Sequence, residues 1–253
     1  MVYAVMFAAV VVYGGTWVVR FGLTTEALTI AHIALDGETA LSETDVWSRL
    51  EGLRGQNILV VDLGEWRQKV LESPWIEAAA IRRVLPDSVD VSVVERQPMG
   101  VGRVGSALYL IDQDGEVIEA YGPGHEQFDL PLIDGLANTA SIDPSGPAVD
   151  ATRAALAARL MASLQRWPDL AKRVSQIDVT DPRDAVVILD GDTALIRLGG
   201  DQFAERLQAY LDVAEALRSE VPQIDYVDLR FGERVYVKPQ PARGAGRNIA
   251  GGE

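Results

Sequence analysis

The chain has 253 residues, of which 48% are hydrophobic, ample for two small packed cores, and its formal net charge of -14 leaves no basic surface for phosphate binding. A nucleic-acid partner is excluded on that ground. With no cysteine, and with its 2 histidines, His32 and His125, far apart in sequence, a Cys/His zinc site and a Cys/His nucleophile pair are excluded as well.

Met1 to Val19 carries no charged side chain and ends at Trp17-Val18-Val19-Arg20. At 1.5 Å per residue it spans roughly 28 Å, close to the about 30 Å of bilayer hydrocarbon, with Trp17 at the interface and Arg20 able to snorkel. Residues 1–20 are therefore expected to form a transmembrane helix. The alternative, a cleaved signal peptide, needs a basic n-region and a small-x-small cleavage site after a shorter apolar core, and neither is evident. A signal anchor is ordinarily oriented by cytoplasmic Lys and Arg, yet the sequence opens on Met1-Val2-Tyr3. The expectation is a native chain that starts upstream and keeps its acidic bulk outside the cytoplasm.

After a connector over residues 21–27, Thr29-Ile30-Ala31-His32-Ile33-Ala34-Leu35 reads as a strand that stops at Asp36-Gly37. Ser42 is the expected cap of a helix with Val46, Trp47 and Leu50 on its apolar stripe, and Leu63, Trp66, Val70 and Leu71 mark a second helix ending before Pro74. A first strand through Arg82-Arg83-Val84, a Pro86-Asp87-Ser88 turn and a second strand follow. In the second strand Val89, Val91 and Val93 alternate with Asp90, Ser92 and Val94, so one face is built to pack on the helices.

From Pro98 the texture changes to short strands with turn punctuation: Ala107 to Ile111, an Asp112-Gln113-Asp114-Gly115 turn, Glu116 to Glu119, and Leu130 to Gly135. A Gly/Pro/Ser/Asp-rich loop covers Asn138 to Pro147. Asp150 begins a helix with Leu156, Leu160, Leu164 and Trp167 at helical spacing. Strands are expected at Val174 to Val179, Ala185 to Leu189 and Thr193 to Leu198, then a long helix through Phe203, Leu207, Leu211, Ala214 and Leu217. A terminal hairpin pairs Tyr226 to Phe231 with Arg234 to Lys238, and residues 239–253 cannot bury a core and read as a disordered tail.

The candidate sites are few. Asp112 to Gly115 lacks the distal ligands of a calcium loop and reads as a hairpin turn. Gly102 and Gly105 lack the spacing of a phosphate loop, and no acid, base or nucleophile set converges, so no enzyme, cofactor or small-molecule substrate is expected. Trp47, Trp66, Trp75 and Trp167 read as core, His32 as structural and His125 as exposed. The terminal hairpin stands apart. A period of two puts Val227, Leu229 and Phe231 on one face and Tyr226, Asp228 and Arg230 on the other, and the last strand is positioned to be a sheet edge able to accept a partner strand. An ordinary solvated edge guarded by Arg234, Lys238 and Pro239 explains the same residues equally well.

Several pieces occur here in one order: the apolar N-terminal helix; Gly55-x-Asn57-Ile58 with Val61-Asp62; Pro74-Trp75-Ile76; Arg82-Arg83-Val84-Leu85-Pro86-Asp87-Ser88; and Glu95-Arg96-Gln97-Pro98. Ile111-Asp112 with Gly115, Leu130-Pro131-Leu132-Ile133 with Gly135, and Val227-Asp228-Leu229-Arg230 follow. The chain resembles, over about residues 1 to 238, the bacterial cell-division protein family FtsQ/DivIB. The resemblance implies an α+β protein: an N-terminal transmembrane helix, a POTRA domain (β-α-α-β-β) at 28–96, and a mostly antiparallel β domain with helices at 97–238. It implies a non-catalytic, bitopic, single-pass (type II) inner-membrane scaffold of the divisome, its bulk periplasmic and at the septum, linking early and late division proteins. The implied partners are FtsB-like and FtsL-like coiled-coil proteins, one of which adds a strand to the last β-domain edge. Carried over by position, the contact involves Asp228, Arg230 and Phe231, with Val235, Tyr236 and Val237 on the terminal strand; Tyr226 joins them on the outward face. Arg230 is expected to pair with a partner carboxylate. Two features depart from the family pattern: no basic tail precedes the membrane helix, and the aromatic of the motif is Phe231, which has no hydroxyl to donate. The competing reading is a POTRA-type component that handles polypeptides in membrane-protein assembly or secretion, which would call for repeated POTRA modules or amphipathic strands of about ten residues after Pro98.

Overall fold

The computed structural model describes residues 2–24, 26–37, 42–125, 128–137, 148–221, 223–232 and 234–240. The chain divides after Arg96 into two compact units, Met1–Arg96 and Gln97–Glu253.

The first unit opens with helix α1 (Val2–Thr24), 23 residues long, which runs through the positions expected to begin the connector. Tyr3, Phe7, Val10, Tyr13 and Trp17 are all exposed on it. Among the described residues no helix is long and apolar enough to cross a membrane, and the side chains described for α1 end at Trp17, so the fold by itself establishes a helix here and not a membrane span. A single 3-10 turn, Glu26–Leu28, follows.

Beyond it lie β1 (His32–Asp36), α2 (Glu43–Arg49), α3 (Leu63–Leu71), β2 (Ile76–Val84) and β3 (Ser88–Glu95). The sheet order is β1-β3-β2, with β1 parallel and β2 antiparallel to the central β3. The alternation in β3 sends Val89, Val91 and Val93 inward, where they meet Val46, Leu50, Trp66 and Val70 from the two helices. Three details differ from the sequence reading. Ile30 is buried but precedes the strand, which begins at His32, and His32 itself is exposed on the edge strand. Ser42 stands at the N-terminus of α2 without capping it: its hydroxyl makes no cap bond, and its backbone N–H donates instead to the buried Glu95 carboxylate at 2.6 Å. Trp66 is core, but Trp47 and Trp75 are only half-buried.

The second unit is a nine-stranded sheet of order β12-β11-β10-β9-β8-β7-β4-β5-β6. In chain order its elements are β4 (Pro98–Val104), β5 (Ala107–Asp112), β6 (Val117–Ala120), β7 (Leu132–Asp134), α4 (Ala151–Leu164), α5 (Pro168–Ala171), β8 (Val174–Asp181), β9 (Asp184–Leu189), β10 (Leu195–Gly199), α6 (Phe203–Glu220), β11 (Ile224–Phe231) and β12 (Arg234–Pro239). The hairpins are antiparallel, while β4 with β7, β7 with β8 and β10 with β11 pair in parallel. The parallel joints follow from the crossovers: α4 lies between β7 and β8 in sequence, and α6 between β10 and β11. Leu156, Leu160 and Leu164 of α4 and Phe203, Leu207 and Tyr210 of α6 share one core with Ile177, Val187, Ile196, Val227 and Leu229 of the sheet.

Asp150 caps α4 by accepting from the Thr152 and Arg153 N–H groups. Trp167 lies past the end of that helix and is exposed, because the chain turns at Gln165 and Pro168 opens α5. His125 is not the exposed loop residue expected: its side chain is 15% exposed and its ring stacks against Phe128 at 6.2 Å. The expected loop at Asn138 to Pro147 and the tail beyond Gln240 lie outside the described residues.

One buried tie holds α6 to the turn before β10. The Tyr210 hydroxyl donates to Asp192 at 2.6 Å, and Arg218 donates to the same oxygen at 2.7 Å. Burial together with the bond to Asp192 pushes the tyrosine up to about 12. Tyr210→Phe keeps the ring and loses a charge-assisted hydrogen bond, so it should lower stability by about 1.5 to 3 kcal/mol. Urea denaturation measures this, and an unchanged midpoint would show that water replaces the hydroxyl.

Candidate partner-binding edge

The terminal hairpin occupies one margin of the large sheet. Strand β12 pairs with β11 on one side, and no strand among the described residues lies on its other side. The register sets Asp228 opposite Tyr236, Val227 opposite Val237 and Tyr226 opposite Lys238. Val227 and Val237 therefore face the helices, where Val237 packs against the core, and Tyr226, Asp228, Tyr236 and Lys238 share the helix-free face.

Two of the expected site residues are placed differently from the sequence reading. Asp228 is 5% exposed and so is not part of an open face. Phe231 leaves the core side because the register shifts between Asp228 and Phe231, and it is 59% exposed. There it meets Tyr236, itself 48% exposed, edge to face at 5.3 Å between ring centroids. With Val235 at 37%, the margin carries three exposed apolar side chains, Val235 and Tyr236 on the free strand β12 and Phe231 at the end of β11.

Behind this margin lies an ion-pair network that sequence reasoning missed. Arg230 donates from Nε to Asp228 Oδ1 at 2.9 Å, from Nη2 to Asp228 Oδ2 at 2.6 Å and from Nη1 to Asp184 Oδ2 at 3.2 Å. Asp184, 2% exposed, also accepts from Arg197 Nε at 2.8 Å, from Arg197 Nη2 at 2.6 Å and from the Gly199 N–H at 2.9 Å. Asp184 lies on β9, Arg197 on β10 and the Asp228–Arg230 pair on β11, so the network crosses three adjacent strands. The hydrogen bonds from Arg230 hold the Asp228 carboxyl below the usual carboxylate range, against the burial that opposes them. Arg230 is thus not a free cation waiting for a partner carboxylate. Arg230→Glu would set a third carboxylate beside Asp184 and Asp228 and disturb the sheet, so it cannot probe binding alone. Tyr226 is flanked by two cations, Lys238 Nζ at 5.2 Å and Arg197 Cζ at 6.0 Å from its ring centroid, and Lys238 also pairs with Asp225 at 2.9 Å.

The acidic turn at Asp112 is accounted for locally: Asp112 Oδ1 accepts from the N–H groups of Asp114 and Glu116 at 3.0 and 2.8 Å.

A POTRA domain of the FtsQ type matches residues 28–96, and the C-terminal region of the cell division protein FtsQ/DivIB matches residues 101–230. The chain belongs to the FtsQ/DivIB cell-division family. The cell division protein FtsQ of Koribacter versatilis is 29% identical over 97% of this chain and 72% of its own length. That of Anaeromyxobacter sp. strain K is 28% identical over 83% of this chain and 70% of its own. The major extracytoplasmic domain of DivIB from Geobacillus stearothermophilus aligns with 50% of this chain and 98% of its own at 17% identity and a TM-score of 0.32, a likeness too distant to bear on the fold. Residues 28–96, whose three-stranded sheet carries α2 and α3 on one face, are the part that matches the POTRA domain, and the element order strand-helix-helix-strand-strand is the one its sequence implies.

Proposed function

We propose that this chain is a non-catalytic scaffold of the bacterial division machinery. It is anchored once in the inner membrane by α1, holds its two other folded regions in the periplasm at the septum, and takes FtsB-like and FtsL-like coiled-coil proteins as partners. The observation that carries this reading is the free strand β12 at the margin of a large sheet, whose exposed Tyr236 meets the exposed Phe231 at the end of β11. Membership of a cell-division family supports the cellular role. The anchor is supported by the 23-residue length of α1, roughly 35 Å at 1.5 Å per residue, and by a sequence without charge before Arg20.

The added strand would take its affinity from main-chain hydrogen bonds to β12 and its specificity from the aromatic pair. The deciding experiment is purification of the full chain in detergent from membranes of dividing cells. Small coiled-coil division proteins are expected to accompany it, and their absence would refute the scaffold reading.

A further inference from the structure

Outside α1, the exposed large apolar side chains described in the first unit are Leu59, Val60, Val84, Leu85 and Val94. The first four gather at one end. Because β1 and β3 are parallel, with His32 opposite Ser88, the start of β1 and the β2–β3 turn share that end. The Ala31 N–H donates to the Asp87 carbonyl at 2.8 Å, and the Ile58 N–H to the Leu28 carbonyl at 2.8 Å. Arg83 then draws the Leu59–Val60 turn against the end of β2, donating to the Ile58 and Val61 carbonyls at 2.7 and 2.6 Å. Leu59, Val60, Val84 and Leu85 are 52%, 61%, 40% and 61% exposed.

This is also the end at which the chain arrives from α1. The helix ends at Thr24, and Leu28 is already bonded to Ile58. The intervening step of four residues reaches at most about 14 Å. A helix that spans the bilayer would therefore deliver this end of the unit to the membrane surface, where the headgroup layer adds about 5 to 8 Å beyond the hydrocarbon. A cluster of leucine and valine is costly in water and is stabilised in that layer, by apolar area rather than by charge.

We propose that Leu59, Val60, Val84 and Leu85 form an apolar lip that dips into the bilayer interface and seats the POTRA domain on the membrane. The proposal rests on the anchor reading of α1. It gives the domain a fixed height and tilt, so that its helices and the free edge of β1 face partners in a restricted plane.

The sequence contains no cysteine, which makes single-cysteine labelling of the full chain clean. Leu59→Cys and Leu85→Cys carry a nitrobenzoxadiazole probe in vesicles of phosphatidylethanolamine and phosphatidylglycerol containing a shallow doxyl-lipid quencher for these positions and, in parallel samples, a deep one for the anchor. Val11→Cys reports the anchor, and Gln113→Cys, exposed on the β5–β6 turn, reports bulk solvent. The expected reading is a blue shift and loss of emission at the Leu59 and Leu85 positions, with neither at the Gln113 position. Quenching of the Val11 probe without quenching at Leu59 and Leu85 overturns the lip and leaves the anchor standing. An unquenched Val11 probe overturns both. A blue shift at Leu59 and Leu85 that needs added division proteins and is insensitive to the lipid quencher also overturns the lip, and makes the patch a protein-docking surface.

Discussion

Asp184→Ala is expected to lower the stability of the β-domain unit by about 3 to 5 kcal/mol, the loss that follows when one member of a buried ion-pair network is removed. Asp184 is nearly inaccessible, and it accepts from Arg197, from Arg230 and from the Gly199 N–H. Truncation to alanine strands the buried N–H and leaves Arg197 without the Oδ2 oxygen that accepts from both its Nε and its Nη2, while Arg230 keeps Asp228. Arg197 is partly exposed and can recover some hydration, which favours the lower end of the range. Asp184→Asn keeps an acceptor for Gly199 and loses only the charge, so it should cost less than alanine. Chemical denaturation of both variants measures the difference. A loss under about 0.5 kcal/mol for alanine would show that the network is no more than surface decoration.

The same region gives the unit an acid limit. Asp228 and Asp192 both have carboxyls held below their ordinary value in the folded protein, the first by hydrogen bonds from Arg230, the second because bonds from Tyr210, the Ala194 N–H and Arg218 outweigh the burial that pushes it up. A depressed carboxyl contributes stability that is fully present above its unfolded value, about 3.9, and is lost as the pH falls through the folded value. Stability should therefore be flat near neutrality and decline below about pH 4, and Asp228→Asn should blunt that decline.

How much of this could be read from the sequence depended on the range of the forces involved. The alternation of Val89, Val91 and Val93 and the spacing of Leu156, Leu160 and Leu164 are local periodicities with one buried face, and each lies where its period places it. Strand β4 was not among the expected strands, because Gly100 and Gly102 interrupt its apolar run. In the sheet these glycines leave room for neighbours: a Cβ would lie 2.4 Å from Ile133 Cδ1 at Gly100 and 2.5 Å from Ile111 Cγ1 at Gly102. The network behind the edge was beyond local pattern altogether, since Arg230 and Asp184 are 46 residues apart. The one signal available was a single charge set into each of two apolar strands, Asp184 before Ala185-Val186-Val187 and Arg197 between Ile196 and Leu198. Strict alternation put Phe231 on the same face as Val227 and Leu229, and the register shift after Asp228 broke that alternation.

That shift makes the edge testable. Phe231→Ala and Tyr236→Ala are each expected to weaken binding of an FtsB-like partner by about 2 kcal/mol or more, roughly thirtyfold, because exposed aromatics at the centre of a contact carry most of its energy. The fold should tolerate both changes. The two rings are already exposed in the free protein, so truncation removes their mutual contact, worth about 0.5 to 1.5 kcal/mol, and at Phe231 also the approach of Arg230 Cζ, 5.6 Å from the ring centroid. Because the rings touch, the two losses should not add: a double-mutant cycle by calorimetry on the full chain in detergent should show a coupling of about 0.5 kcal/mol or more. Unaltered affinity in both single variants, with unaltered melting, would mean that partners dock elsewhere and that β12 is an ordinary solvated edge. Loss of affinity with intact melting, by contrast, would separate recognition, which belongs to the exposed ring pair, from support, which belongs to Asp184, Arg197, Asp228 and Arg230 behind it.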